Sequence, residues 1–454
     1  MRKDKYDSGW LKISDDEKKR VYEFCDEYIS FLNSSKTERE SIHYIREALI
    51  NNGFKDINTV DKLTSGDKVF MINKNKSIYA SIIGNNPFLM GFNIIGSHVD
   101  SPRLDLKPNP LYEEHEQALF KTHYYGGIKK YQWTCIPLSM RGIIIKTNGE
   151  ILNICIGEND KEPVFTITDL LPHLSTEQNK KKLDEAIVGE NLNILVGNIP
   201  LSNEEGPKQK VLEILKEKYD INKQDFISAE IEFVPAFEAK SLGFDESMVA
   251  GYGQDDRSCA YTSLMAFLDI EKPRNTCVAI FADKEEIGSM GNTGMMSNTF
   301  DSFIMKLITM TNNKPHLMLD IYGNSKMLSA DVGAAMDPMY HDAYDKYNAS
   351  YINHGVELNK YTGSRGKAGG SDANAEYVGY VRDILEENDI LYQMSELGKV
   401  DLGGGGTIAY ILANKGVDVI DCGIPILSMH SPYEVSSKLD VYMAYKTYKS
   451  FYNN

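Results

Sequence analysis

The chain has 454 residues, 42% of them hydrophobic and 25% charged, and a formal net charge of −16. That length can bury a large core, divided most naturally between two domains. The acidic balance excludes nucleic acid and anionic membrane as expected partners.

No stretch reaches the ~18 uninterrupted apolar residues of a membrane span. The six cysteines, Cys25, Cys135, Cys155, Cys259, Cys277 and Cys422, are scattered without a CxxC pair. That is the usage of buried thiols in a reducing compartment. Met1–Trp10 contains no apolar run, so a leader peptide is not expected and the cytoplasm is the expected location.

Residues 14–52 read as two helices. Ser14-Asp-Asp-Glu17 and Thr37-Glu-Arg-Glu40 are capping-box patterns, each followed by an apolar stripe at helical spacing. Val69 to Ile72, Ser77 to Ile83 and Phe92 to Ser97 read as strands, the first two joined as a hairpin through residues 73–76. The third delivers Gly96-Ser-His-Val-Asp-Ser-Pro102. His98 and Asp100 are two apart and would share one face of a strand. A ligating His commonly gives its second ring nitrogen to a carboxylate, which suits a metal site.

Residues 103–240 change texture. Strands are expected at 143–146, 151–156, 164–167 and 227–233, and short helices at 183–188 and 211–219. This stretch reads as an inserted β-rich domain between residues 1–102 and 241–454.

From residue 245 the pattern becomes α/β. Asp255 and Asp256 precede a helix, where one of them would suffice as a cap. Cys277 to Ala282 is an apolar strand running into Asp283-Lys-Glu-Glu-Ile-Gly-Ser289. The adjacent carboxylates of Glu285 and Glu286 disfavour each other's ionisation unless a cation lies between them. A metal that takes one as ligand and leaves the other as base resolves the conflict. Taken alone, such a pair is more often a solvated acidic loop. Further strands are expected at 317–321, at 327–331 ending in Asp331, at 390–394, and at 417–420, the last one buried, leading to His430. Gly403-Gly-Gly-Gly-Thr407 opens a helix in this reading. It lacks the Lys-Ser/Thr of a phosphate loop and implies a close backbone approach.

His98/Asp100, Asp255/Asp256, Glu285/Glu286, Asp331 and His430 thus sit at strand ends or helix starts. Open α/β sheets build their sites there. Two His and several carboxylates suit a pair of Zn²⁺ ions ~3.5–4 Å apart, and Co²⁺ or Mn²⁺ would be tolerated by the same donors.

At this point the sequence resembles the aspartyl aminopeptidase family of metallo-aminopeptidases, and within it the bacterial branch. The resemblance covers nearly the whole chain. It rests on Ser97-His-Val-Asp-Ser-Pro102, Gly126-Gly-Ile128, Asp255-Asp-Arg257, residues 283–289, Ser329-Ala-Asp331 and Ser428-Met-His-Ser431. It implies a zinc-peptidase-like α/β/α catalytic domain with an inserted β-rich dimerisation domain. It implies that His98 and Asp331 bind one ion, Glu286 and His430 the other, and Asp255 bridges them. Glu285 would be the general base and Asp100 would orient His98. Pro172-His173-Leu174 matches a segment whose His reaches a neighbouring subunit's site, in dodecamers built from dimers that cleave peptides. Lys360 would bind an acidic first side chain. After Asp331 the chain reads Val-Gly-Ala-Ala where the eukaryotic branch has a His, and residues 361–367 also depart from that branch. Both changes put a strict acidic preference in question. A co-catalytic zinc deacylase or carboxypeptidase shares this ligand logic. A metal-stabilised shell protein would not require Glu285.

Overall fold

The computed structural model describes residues 7–454. Met1–Tyr6, on which part of the leader-peptide expectation falls, lies outside the described residues. Two compact units are present. The larger takes the described residues up to Asp100, then Ala239–Met429 and Tyr433–Asn454; the smaller takes Ser101–Glu238 and His430–Pro432.

The larger unit is built on a nine-stranded mixed sheet. In chain order its strands are β1 Lys55–Asp56, β2 Lys68–Asn73, β3 Ser77–Ile82, β4 Phe92–His98, β5 Thr276–Ala282, β6 Lys326–Ser329, β7 Val356–Asn359, β8 Tyr392–Ser395 and β9 Asp418–Gly423. Their spatial order is β1-β2-β3-β5-β4-β6-β9-β7-β8. The four central strands β5, β4, β6 and β9 run parallel, so their carboxyl ends open on one side.

Alternation along β5 shows why the sheet is buried on both faces. Cys277, Ala279 and Phe281 join one apolar cluster, while Val278, Ile280 and Ala282 join another. Parallel strands covered by helices on both sides read as unbroken apolar runs for this reason. On the first face lie the helices Asp15–Ser34, Glu38–Asn51, Gln254–Leu268, Ala375–Glu387 and Lys438–Asn453. On the second lie Thr299–Met310, Met318–Asn324 and Ala409–Ala413. The caps read from sequence are formed. Ser14 Oγ accepts the Glu17 N–H, and Thr37 and Glu40 make a reciprocal capping box.

The smaller unit carries a six-stranded antiparallel sheet. Its order is Ile151–Ile156, Leu138–Ile145, Ala229–Pro235, Arg103–Glu114, Gln117–Tyr125 and Ile194–Gly197. Leu104, Phe120, Leu138, Met140, Phe226 and Phe233 are buried in it.

Several elements differ from the sequence expectation. The long hairpin of Arg103–Glu114 and Gln117–Tyr125 has polar residues throughout, which hid its alternation. Residues 164–167 make only isolated bridges. Residues 317–321 are helical, opened by Pro315 at a first helical position; a five-residue apolar run does not separate strand from helix. β9 is followed by two more short strands, Pro425–Leu427 and Glu434–Ser437. The tetraglycine leads into the helix Ala409–Ala413, whose first N–H donates to Thr407 Oγ1, and it also forms a short ladder that the sequence did not signal. Gly404 and Gly405 pair with Ser364 and Gly363. A Cβ on Gly404, at φ +138°, would lie 2.6 Å from the Ser364 Cα. Four of the six cysteines are buried, and Cys135 and Cys155 are exposed.

Candidate metal centre

The parallel strands β4, β5 and β6 bring their donors to one buried spot. His98 is the last residue of β4, and Asp331 lies two residues beyond β6. Asp255 enters from the Gln254–Leu268 helix, where its backbone and that of Asp256 are non-helical. His98 Nε2 lies 3.3 Å from Asp255, 3.6 Å from Asp331 and 3.9 Å from Glu285. The three residues His98, Asp255 and Asp331 each offer a ligand atom within 4.8 Å of the others. So do Asp255 and Glu286.

Burial disfavours a charged imidazole at His98, yet Asp100, Asp255 and Asp331 together hold it well above its ordinary range. Glu285 is pushed up to about 8 by burial; His98 opposes the shift, and Asp331, Asp100 and Asp255 add to it. Burial likewise raises Asp331. The His98 imidazole thus faces a crowd of carboxyl groups. Its imidazole nitrogen and carboxylate oxygens are the donor types of a zinc site, and a cation there would relieve the repulsion.

Supporting contacts fix each donor. The His98 Nδ1 lies 3.0 Å from the Asp100 backbone O and 3.4 Å from its Oδ1. Asp100 also accepts the backbone N–H groups of Glu285 and Glu286. The Asp255 N–H donates to buried Glu434 at 3.2 Å. Asp256 accepts the His98 backbone N–H at 3.2 Å, and burial raises its carboxyl well above the usual range. The second acid of the Asp255-Asp256 pair therefore supports the strand instead of facing the donors.

His430 falls in the three residues grouped with the smaller unit, where its Nδ1 lies 2.7 Å from the Gly127 backbone O. That contact joins His430 to the Gly126-Gly-Ile128 motif. His173 sits in the short 3-10 turn Pro172–Leu174 and is exposed, between exposed Leu171 and Leu174. Lys360 is exposed just after β7. Of its neighbours, Lys367 pairs with Asp372 at 3.0 Å and lies 3.7 Å over the Tyr361 ring.

Residues 31–452 match the family described as aminopeptidase I zinc metalloprotease (M18). The chain belongs to the M18 family. A probable M18 family aminopeptidase 1 of Clostridium acetobutylicum is 48% identical, over 99% of this chain and 98% of its own length. A crystal structure of the Thermotoga maritima M18 aminopeptidase superposes with a TM-score of 0.95 at 43% identity, covering 99% of this chain and 100% of that one. The Clostridium acetobutylicum aminopeptidase I structure gives 0.94 at 45% identity, with both chains fully covered. The chain is thus an aminopeptidase of a zinc metalloprotease family, with that family's α/β fold.

Several residues that build the site escaped the sequence reading. Arg257 figures in the sequence only as part of the Asp255-Asp-Arg257 motif. It is fully buried and donates to the backbone oxygens of Gly253, Ser35 and Tyr252, bracing the turn that presents Asp255. Its signal was an arginine inside an otherwise apolar helix face. Glu434 lies on a late strand with no local pattern to mark it. Asp283 and Thr293, ten residues apart, meet only because the loop between them doubles back.

Proposed function

We propose that this chain is a dinuclear zinc aminopeptidase that removes single residues from peptide N-termini. The observation that carries the reading is the buried convergence of Asp255, Asp331 and Glu285 within 3.9 Å of His98 Nε2 at the carboxyl ends of adjacent parallel strands. In this reading His98 and Asp331 would hold one ion, Glu286 and His430 would hold the other, and Asp255 would contribute to both. When bound, the ions supply Lewis acidity and lower the proton affinity of the surrounding acids. Co²⁺ or Mn²⁺ fits the same donors.

Glu285 takes a proton from the attacking water as the water oxygen bonds to the scissile carbonyl carbon. It returns that proton to the amine as the C–N bond breaks. Asp100 fixes the His98 ring and holds the backbone of Glu285. Unspent carboxylate charge in the site draws the free α-ammonium of the substrate, which restricts cleavage to the first residue. Lys360 is the candidate cation for an acidic first side chain. The smaller unit makes the dimer contact, His173 completes a neighbour's site, and dimers assemble to a dodecamer in the cytoplasm. These assembly assignments rest on the family resemblance and on the exposure of the Pro172–Leu174 turn.

Metal analysis combined with a panel of free and N-acetylated aminoacyl substrates tests the reading. Two zinc ions per chain and cleavage only of free-amine substrates are expected. Efficient cleavage of the acetylated series would overturn it.

A further inference from the structure

Glu285 and Glu286 lie in a single 3-10 turn, Glu285–Ile287, flanked by two residues in the left-handed region, Lys284 at φ 67° and Gly288 at φ 91°. A lysine there costs roughly 1–2 kcal/mol in backbone strain, so something must hold it. Asp100 holds the turn from one side through two backbone N–H groups. From the other side the holding is done by side chains.

Asp283 directly follows β5 and is 1% exposed. Its Oδ2 accepts from Thr293 Oγ1 at 2.5 Å and from Lys284 Nζ at 3.0 Å. Lys284 Nζ also donates to Thr293 Oγ1 at 2.6 Å. Each of the three groups thus touches the other two. Backbone contacts close the same loop: Ser289 N donates to Lys284 O at 2.7 Å, and Asp283 bridges to Gly294. The charge arrangement gives the lysine a second task. Asp283 feels the like charges of Glu38 and Asp100. Glu38 has its own cation, with Lys76 Nζ at 2.9 Å. Lys284 is the cation beside Asp283, and without it the buried carboxylate would repel Asp100.

We propose that Asp283, Lys284 and Thr293 form a positioning lock that sets the angle at which Glu285 meets the attacking water. The lock acts through the backbone of residues 284–294, and its three members are positioning residues. The proposal rests on the reading of Glu285 as base.

Thr293→Val removes the hydroxyl while keeping the side chain's shape; Thr293→Ser keeps the hydroxyl. The zinc-loaded full-length protein is assayed for kcat and KM on a free-amine aminoacyl substrate, and bound zinc is measured. Amide hydrogen exchange of residues 284–294 is followed alongside. A misplacement of about 1 Å can cost on the order of 100-fold in rate. Thr293→Val should therefore lose at least about tenfold in kcat with KM and zinc content little changed, and should exchange faster across 284–294. Thr293→Ser should restore both kcat and slow exchange. Lys284→Met should behave like Thr293→Val, and it takes over the test if the valine variant does not fold.

Wild-type kcat in the valine variant, or a serine variant as impaired as the valine one, overturns the lock. So does unchanged exchange in both Thr293→Val and Lys284→Met. Glu285→Gln, assayed in parallel, separates the two ideas. A fully active Glu285→Gln removes the base reading itself; an inactive Glu285→Gln beside an unimpaired Thr293→Val removes only the lock.

Discussion

Asp100 holds Glu285 by its backbone. Its Oδ1 accepts the Glu285 N–H at 3.1 Å, and its Oδ2 accepts that of Glu286 at 3.2 Å. Its backbone O lies 3.0 Å and its Oδ1 3.4 Å from the His98 Nδ1, so one fully buried residue sets both the imidazole and the turn bearing the acids. Asp100→Asn offers only one acceptor oxygen and points an amide N–H₂ at a backbone N–H. Support of this kind is typically worth about 10–100-fold in metal affinity or activity. We expect a loss of that size in kcat, with lowered zinc affinity measurable by competition with a chelator. A variant within about twofold of wild type on both counts would contradict the assignment.

Metal binding and proton transfer should separate. Glu285→Gln is expected to retain zinc and lose about 10²–10⁴-fold in kcat, because the amide cannot accept the water's proton. His430→Ala should instead lose zinc. Turnover by Glu285→Gln close to wild type would remove the base from the mechanism.

Zinc removal should make stability depend on pH in a defined direction. Burial, reinforced by Asp331, Asp100 and Asp255 against the pull of His98, pushes Glu285 up from 4.5 to about 8. Between those values the folded metal-free protein binds more protons than the unfolded chain, so stability falls as pH rises from about 4.5 to 8. Below that window the Glu285 contribution is fully present, and above it the contribution is lost. Glu285→Gln cannot titrate. Chelator-treated wild type should therefore lose more stability between pH 5.5 and 8 than chelator-treated Glu285→Gln, by about 1 kcal/mol or more. Parallel denaturation curves with equal pH dependence would rule this out.

Lys360 tests the proposed preference for acidic first residues. Lys367 is engaged with Asp372 and the Tyr361 ring, whereas Lys360 stands exposed at the end of β7. Lys360→Ala should lower kcat/KM for Asp- and Glu-peptides more than tenfold, roughly 1.4 kcal/mol or more. Leu-peptides should change little. Equal losses on both classes would assign the lysine to structure.

The Arg257 brace is a stability prediction. Its guanidinium donates at 2.9 Å to Gly253 O and Ser35 O, and at 3.3 Å to Tyr252 O. Removing it leaves buried carbonyls without their donor and opens a cavity. Arg257→Ala should cost about 3–5 kcal/mol, and Arg257→Lys should recover only part of this, since an ammonium lacks the planar fork. Gly253 is required for the same packing. It lies at φ +72°, and a Cβ there would sit 1.3 Å from the Arg257 Nη2. Gly253→Ala should destabilise as strongly as Arg257→Ala in urea denaturation.

Local physics made much of this legible in advance. Caps and helical stripes marked the first two helices, and unbroken apolar runs marked β4 and β5. His98, Glu285 and Asp331 stand out because carboxylates and imidazoles just past apolar strands are costly unless used, and Asp255 because one acid of its pair would suffice as a cap. What was hidden depends on contacts far apart in sequence. Asp255 and Glu434 are 179 residues apart, and Arg257 and Ser35 are 222 apart. The partition of the Asp255-Asp256 pair needed a backbone that departs from helix at both residues. The strand partner of the tetraglycine could not be read from either loop alone.

Every residue of β4 and β5 is buried. Their amides can meet solvent only when the larger unit opens as a whole, so they should be among the last to exchange hydrogen for deuterium. His98 rides on the end of β4, and the acids Glu285 and Glu286 follow β5 by only a few residues. Loss of an ion held by these residues is therefore expected to be a local event at the rim of the most durable part of the fold, with the demetallated chain keeping its donors in register for recharging without refolding.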